Sequence, residues 1–76
     1  MTLVDLQSGA RATITAIATA DSAVQRLMLL GLVEGVEVEF LRASLGGDPL
    51  EFRLHGAAIS MRREQAQAFT VSPVAG

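Results

Sequence analysis

The pattern of apolar residues changes near the middle of the chain from helical to strand periodicity. Val24, Leu27 and Met28 share one face of a helical wheel, so we predict an amphipathic helix over about residues 21–31. Gly31 predicts the end of that helix, because glycine readily adopts the positive φ that a helix C-terminus commonly needs.

A strand follows this helix after a tight turn. Gly35 suits the third position of a type II turn, which also requires a positive φ. Val36, Val38 and Phe40 then alternate with polar residues, as in an antiparallel strand with one buried face.

The same alternation recurs at Leu50, Phe52 and Leu54, so we expect the two strands to pair as a hairpin. A two-residue loop would place buried positions opposite exposed ones. The loop must therefore be longer and odd, or one strand must contain a bulge. One permitted register sets Phe40 against Phe52. The connection contains three turn-forming residues, Gly47, Asp48 and Pro49.

Three further short strands are predicted, at Ala12–Ile17, at Ala57–Met61 and through Phe69 and Val71. A short helical turn is expected near residues 62–66. Five strands with one helix inserted after the first indicate a mostly β fold, a small and partly open barrel.

Size and composition fit one domain. The 76 residues are 50% apolar and 18% charged, which favours a packed globule over a disordered segment. We expect a single domain over residues 1–76, with its core within about 3–72 and a flexible tail at 73–76. The sequence shows neither a signal-peptide pattern nor the roughly 20 apolar residues of a membrane span. We therefore expect a soluble, cytoplasmic protein without direct membrane insertion.

Charge and residue types exclude several classes of function. The net charge is −2 and Trp is absent, so the basic face and stacking residues of nucleic-acid modules are missing. The lack of cysteine excludes disulfides, thiolate metal sites and cysteine nucleophiles. The single histidine, His55, forms no Ser–His–Asp pattern, so we do not expect an enzyme.

A metal site is the remaining chemistry to consider at His55. In the register above, His55 would lie opposite Glu37. One imidazole with carboxylates is a weak and unselective set for a divalent transition metal such as zinc or Fe(II). We therefore predict a solvated strand histidine and no cofactor, with His55 and Glu37 as weak metal-ligand candidates.

Surface positions offer candidates for protein contact. Leu29 lies on the polar side of the predicted helix, Leu32 follows the helix end, and Leu41 points outward from its strand. Three exposed leucines near one junction would form a docking patch. Arg62 and Arg63, beside the predicted helical turn, are candidates for contacting an acidic partner surface.

Several short motifs resemble those of the FeoA family, and their order and spacing span about residues 3–72. They are Leu6 with Gly9; Arg26-Leu27-Met28; Leu30-Gly31-Leu32 with Gly35; Gly47-Asp48-Pro49; and Ile59-Ser60-Met61-Arg62 with Glu64 and Ala66. The chain departs from the family at Leu29, where members often have a polar residue.

The resemblance implies an SH3-like β-barrel and a role in bacterial ferrous iron uptake. FeoA proteins are small cytosolic partners of the FeoB transporter. The resemblance thus implies a non-enzymatic accessory protein that docks on the cytosolic side of FeoB and modulates it. The alternative is a detached SH3-like regulatory module of a metal-dependent repressor system, which binds a peptide or a protein domain. A homodimer is left open.

Overall fold

A computed structural model describes residues 1–74 as one antiparallel sheet with short helices. The strands are β1 (Arg11–Ile17), β2 (Glu37–Ala43), β3 (Leu50–Leu54), β4 (Ala57–Met61) and β5 (Phe69–Pro73). Helix α1 (Ser22–Leu29) follows β1, helix α2 (Arg63–Ala66) precedes β5, and 3-10 turns cover Leu3–Asp5 and Leu45–Gly47. The strand order is β4-β3-β2-β1-β5. The predicted mostly β fold with five strands and one inserted helix is confirmed.

Helix α1 begins with a side-chain cap at Asp21. The Asp21 carboxylate accepts a hydrogen bond from the Ala23 main-chain N–H at 2.8 Å, which satisfies a donor that the first helical turn leaves unpaired. Val24 and Leu27 are buried, as the amphipathic pattern predicts. The helix is therefore held by its cap at one end and by the core along one face.

A Schellman motif ends α1 and turns the chain into the core. Gly31, with φ of 109°, donates its N–H to the Met28 carbonyl at 3.0 Å, and the Leu32 N–H donates to the Leu27 carbonyl at 3.3 Å. The motif returns the residue after the glycine towards the apolar side of the helix, so Leu32 is fully buried. The prediction that Leu32 faces outward is wrong.

The predicted tight turn precedes β2. The Val36 N–H donates to the Val33 carbonyl at 3.2 Å, which makes Gly35 the third residue of the turn. Gly35 has φ of 89°, the positive value that this position of a type II turn requires. Both glycines at the helix-to-strand junction thus have the predicted conformation.

The register between β2 and β3 is the predicted one, with a bulge. Phe40 pairs with Phe52, and their ring centroids lie 5.2 Å apart. The register shifts between Phe40 and Arg42, and Ala43 then pairs with Leu50. Because of the bulge, the buried residues of both strands lie on the same side of the sheet with a connecting loop of this length.

The core consists mainly of apolar side chains from the sheet, from α1 and α2, and from the 3-10 turn at Leu3–Asp5. Its largest fully buried members include Phe52, Phe69, Leu3, Ile14, Leu32 and Leu50. Within residues 1–74 no polar or charged side chain is buried. Chemistry and recognition therefore depend on exposed and partly exposed groups.

The C-terminal strand extends further than predicted. Pro73 pairs with Ala12 of β1, and the Val74 N–H donates to the Arg11 carbonyl at 3.0 Å. The predicted tail at 73–76 is therefore wrong for its first two residues, and its last two lie outside the described residues. None of the helices within residues 1–74 combines the length and apolarity needed to cross a membrane.

Candidate docking surface

Three exposed apolar side chains lie at and just beyond the end of α1. Leu29 is 88% exposed, Leu30 is 61% exposed and Val33 is 37% exposed. We call these three residues the helix-end patch. Leu29 is exposed because α1 turns Val24 and Leu27 to the core, which leaves position 29 on the solvent side of the helix.

The three leucines predicted as a docking patch have different positions in the fold. Leu29 is exposed, as its place on the helical wheel predicts. Leu41 is partly buried at the β2 bulge, and Leu32 belongs to the core. Burial removes Leu32 from the interface candidates, because a fully buried side chain presents no surface to a partner.

Arg63 is tied to the loop between β2 and β3. Its guanidinium donates to the Gly47 carbonyl through Nε at 3.2 Å and Nη2 at 3.0 Å. Its main-chain N–H donates to the Asp48 carboxylate at 2.9 Å. Gly47 and Asp48 thus belong to a loop that anchors α2 through these hydrogen bonds, and the Arg63 side chain has a structural partner.

Arg62 differs from its neighbour. Its main-chain N–H donates to the Gln65 side-chain oxygen at 3.0 Å, and the residue is exposed. Neither ion pair found within residues 1–74 involves Arg62, since they join Arg11 to Glu37 and Arg42 to Glu51. Arg63 is exposed and outside both ion pairs as well, so the two arginines differ in that the Arg63 guanidinium is held by the Gly47 carbonyl.

A groove of about 270 Å³ separates α1 from β4 and α2. We call it the helix–strand groove, and it is lined by Ala23, Arg26, Leu27, Leu30, Ser60 and Gln65. Leu30 belongs both to this groove and to the helix-end patch. Arg26 is the one charged residue in the lining, which favours an anionic group in a ligand.

The helix–strand groove is not predicted by the sequence. The spacing of Ala23, Leu27 and Leu30 predicts that they share one side of the helix, but not which segment of the chain lies opposite that side. Ser60 lines the groove because β4 lies close to α1 in the tertiary structure. No local signal in the sequence reports that approach.

The two weak metal-ligand candidates have no third ligand among the described residues. His55 is exposed but lies beyond the end of β3, in the turn before β4, with φ of 51°, so the prediction of a strand histidine is wrong. Glu37 pairs with Arg11 across β1 and β2 at 3.3 Å. Across residues 1–74, no three His, Cys, Asp or Glu side chains cluster as metal ligands would.

The same fold occurs in transcriptional repressors. A manganese-dependent transcriptional repressor in complex with manganese superposes with a TM-score of 0.86 at 20% identity, over 97% of this chain and 36% of that chain. At that identity the likeness shows the fold alone. A search of curated proteins finds no match to this sequence.

FeoA proteins of two bacteria resemble the chain more closely in sequence. The solution structure of a Chlorobium tepidum FeoA protein is 41% identical, with a TM-score of 0.91 over 100% of this chain and 72% of that chain. The zinc complex of Stenotrophomonas maltophilia FeoA, described as an SH3 domain protein, is 29% identical, with a TM-score of 0.81 over 95% and 89%. The FeoA domain profile matches residues 1–73. The chain therefore belongs to the FeoA domain family, which is linked to ferrous iron transport.

Proposed function

We propose that this protein is a non-enzymatic accessory factor of bacterial ferrous iron uptake, which acts in the cytoplasm by docking on an FeoB-type transporter and modulating it. The observation that carries the proposal is the FeoA domain match over residues 1–73. The Stenotrophomonas maltophilia relative, described as a possible ferrous iron transport activating factor, supports the same role.

The helix-end patch supports docking as the mode of action. Exposing Leu29 and Leu30 gains nothing for the isolated fold, whereas burying one such side chain at an interface contributes about 1.5–3 kcal/mol. An exposed apolar cluster of this kind marks a protein contact more often than isolated apolar residues do. The patch therefore supports docking through the end of α1.

In this proposal the chain neither hydrolyses a nucleotide nor carries iron. The weak candidates His55 and Glu37 would offer one imidazole and one carboxylate, and the carboxylate is already paired with Arg11. We expect calorimetry to show no Fe(II) binding tighter than about micromolar, as one imidazole with oxygen ligands makes a poor site. Modulation would come from contact with the transporter.

A pull-down of the purified protein with the cytosolic domain of FeoB from the same organism tests the proposal. We expect the FeoB domain to be captured specifically. Repeating the pull-down with and without guanine nucleotide shows whether the nucleotide state of the transporter affects docking. Failure to bind in both states, with protein that is folded by circular dichroism, would contradict the proposal. The repressor-module alternative receives no support beyond the shared fold.

A further inference from the structure

The two edge strands of the sheet differ in whether another segment of the chain pairs with them. Along β5, Thr2 forms a bridge with Thr70, and the Val71 N–H donates to the Met1 carbonyl at 2.9 Å. The N-terminal segment thus covers that edge. At the opposite edge, no backbone segment within residues 1–74 pairs with the outer side of β4.

The register of β3 and β4 identifies the unpaired groups. His55 and Gly56 form a two-residue turn with φ of 51° and 81°, so Leu54 and Ala57 are the closing, hydrogen-bonded pair. Hydrogen-bonded pairs alternate with non-bonded ones along an antiparallel ladder. The main-chain N–H and C=O groups of Ala58 and Ser60 therefore point away from β3.

The strand itself carries no residue of the types that usually protect an edge. Its sequence, Ala57–Met61, contains no charged residue and no proline, and its first two residues are exposed alanines. Natural proteins commonly place lysine, proline or a covering segment at such an edge to prevent pairing. The β4 edge is thus suited to accept another strand.

The helix–strand groove lies beside this edge. Ser60 lines the groove from the strand side, and Leu27 and Leu30 line it from α1. A strand added to β4 would project alternate side chains, so one of them can enter the groove while its main chain pairs with β4. Arg26 forms neither ion pair seen within residues 1–74 and no carboxylate lines the groove, which favours an acidic residue in the added strand.

We propose that an extended segment of the partner adds to β4 by pairing with the main-chain groups of Ala58 and Ser60. One of its apolar side chains occupies the helix–strand groove, and an adjacent Asp or Glu pairs with Arg26. This inference rests on the proposed function, in which the partner is the cytosolic part of an FeoB-type transporter. It adds the mode of recognition and the chemistry of the recognised segment.

Proline at position 58 tests the main-chain pairing. Ala58→Pro removes an N–H that points away from β3, so the β3–β4 ladder keeps its hydrogen bonds. We expect this variant to bind the FeoB cytosolic domain about tenfold more weakly or worse, because a carbonyl of the added strand loses its donor. Ala58→Val is the matched control, since it keeps the N–H and suits a strand, and it should bind like wild type.

Two further measurements keep the test decisive if Ala58→Pro does not fold. Arg26→Glu changes an exposed side chain and should weaken binding about tenfold, whereas Leu45→Glu, at a fully exposed position outside the groove, should not. Hydrogen exchange should show the amides of Ala58 and Ser60 gaining protection when the FeoB domain is bound.

The outcomes separate this inference from the proposed function. Wild-type affinity in Ala58→Pro and Arg26→Glu, with no added protection at Ala58 and Ser60, would overturn strand addition while leaving docking intact. No binding by wild type would overturn both. A dimer in sedimentation experiments that Ala58→Pro dissociates would assign the β4 edge to a second copy of the chain and overturn the proposal.

Discussion

Gly35 has a conformation that residues with a Cβ adopt only at a cost. Its φ is 89°, and a Cβ built there would meet no atom within 4 Å. The cost of a substitution is therefore conformational and not steric. We expect Gly35→Val to lower the free energy of unfolding by more than about 1 kcal/mol, since a β-branched residue is strained at positive φ. Denaturant unfolding measures this change in stability. An unfolding curve that coincides with that of wild type would contradict the assignment of a positive φ to Gly35.

His55 is the one residue other than glycine with a positive φ among residues 1–74. It occupies the first position of the two-residue turn between β3 and β4, which favours asparagine followed by glycine. We expect His55→Asn to raise the free energy of unfolding by about 0.5–1 kcal/mol, because asparagine tolerates this conformation better. A decrease on thermal or chemical unfolding would indicate that the imidazole makes a stabilising contact. His55→Phe, which has no such tolerance, is the control and should not stabilise.

At the scale of elements, the junction of α2 with the loop after β2 depends on Arg63. Its side chain makes two hydrogen bonds to the Gly47 carbonyl, whereas the only hydrogen bond that joins Arg62 to a side chain, within residues 1–74, is from its main-chain N–H to Gln65. We expect Arg63→Ala to cost about 1 kcal/mol of stability and Arg62→Ala less than about 0.5 kcal/mol. Urea unfolding of the two variants provides the comparison. Equal effects would show that the guanidinium contacts do not persist in solution.

The elements themselves were largely predictable, because each depends on a local pattern. Alternation with one buried face restricted the register of Phe40 and Phe52, and the apolar stripe of α1 determined which side faces the core. Leu32 was misassigned because helical periodicity stops at Gly31. The position of Leu32 depends instead on the Schellman motif, which directs the residue after the glycine into the core.

At the scale of the whole molecule, the docking surface could be predicted only in part. Leu29 was placed outward correctly from its angle on the helix. The helix–strand groove and the open edge of β4 depend on which strands end the sheet and on where α1 lies against them. Such relations between distant segments are set by the packing of the entire chain, and no single window of the sequence reports them.

We propose that the exposed side chains at the end of α1 contact a protein partner and do not stabilise the fold. Leu29 carries this claim most directly, because it is 88% exposed and follows Arg26 of the groove lining by three residues, on the same side of the helix. A charged residue at position 29 should leave the fold intact and disturb only the contact.

Calorimetric titration of the FeoB cytosolic domain with Leu29→Arg is the most direct test. Leu45→Arg is the matched control, because Leu45 is also fully exposed but lies in the loop after β2. We expect unchanged melting temperatures for both variants, wild-type affinity for Leu45→Arg, and binding weakened by about tenfold or more for Leu29→Arg. Wild-type affinity in Leu29→Arg, or unfolding of that variant, would contradict docking through the end of α1.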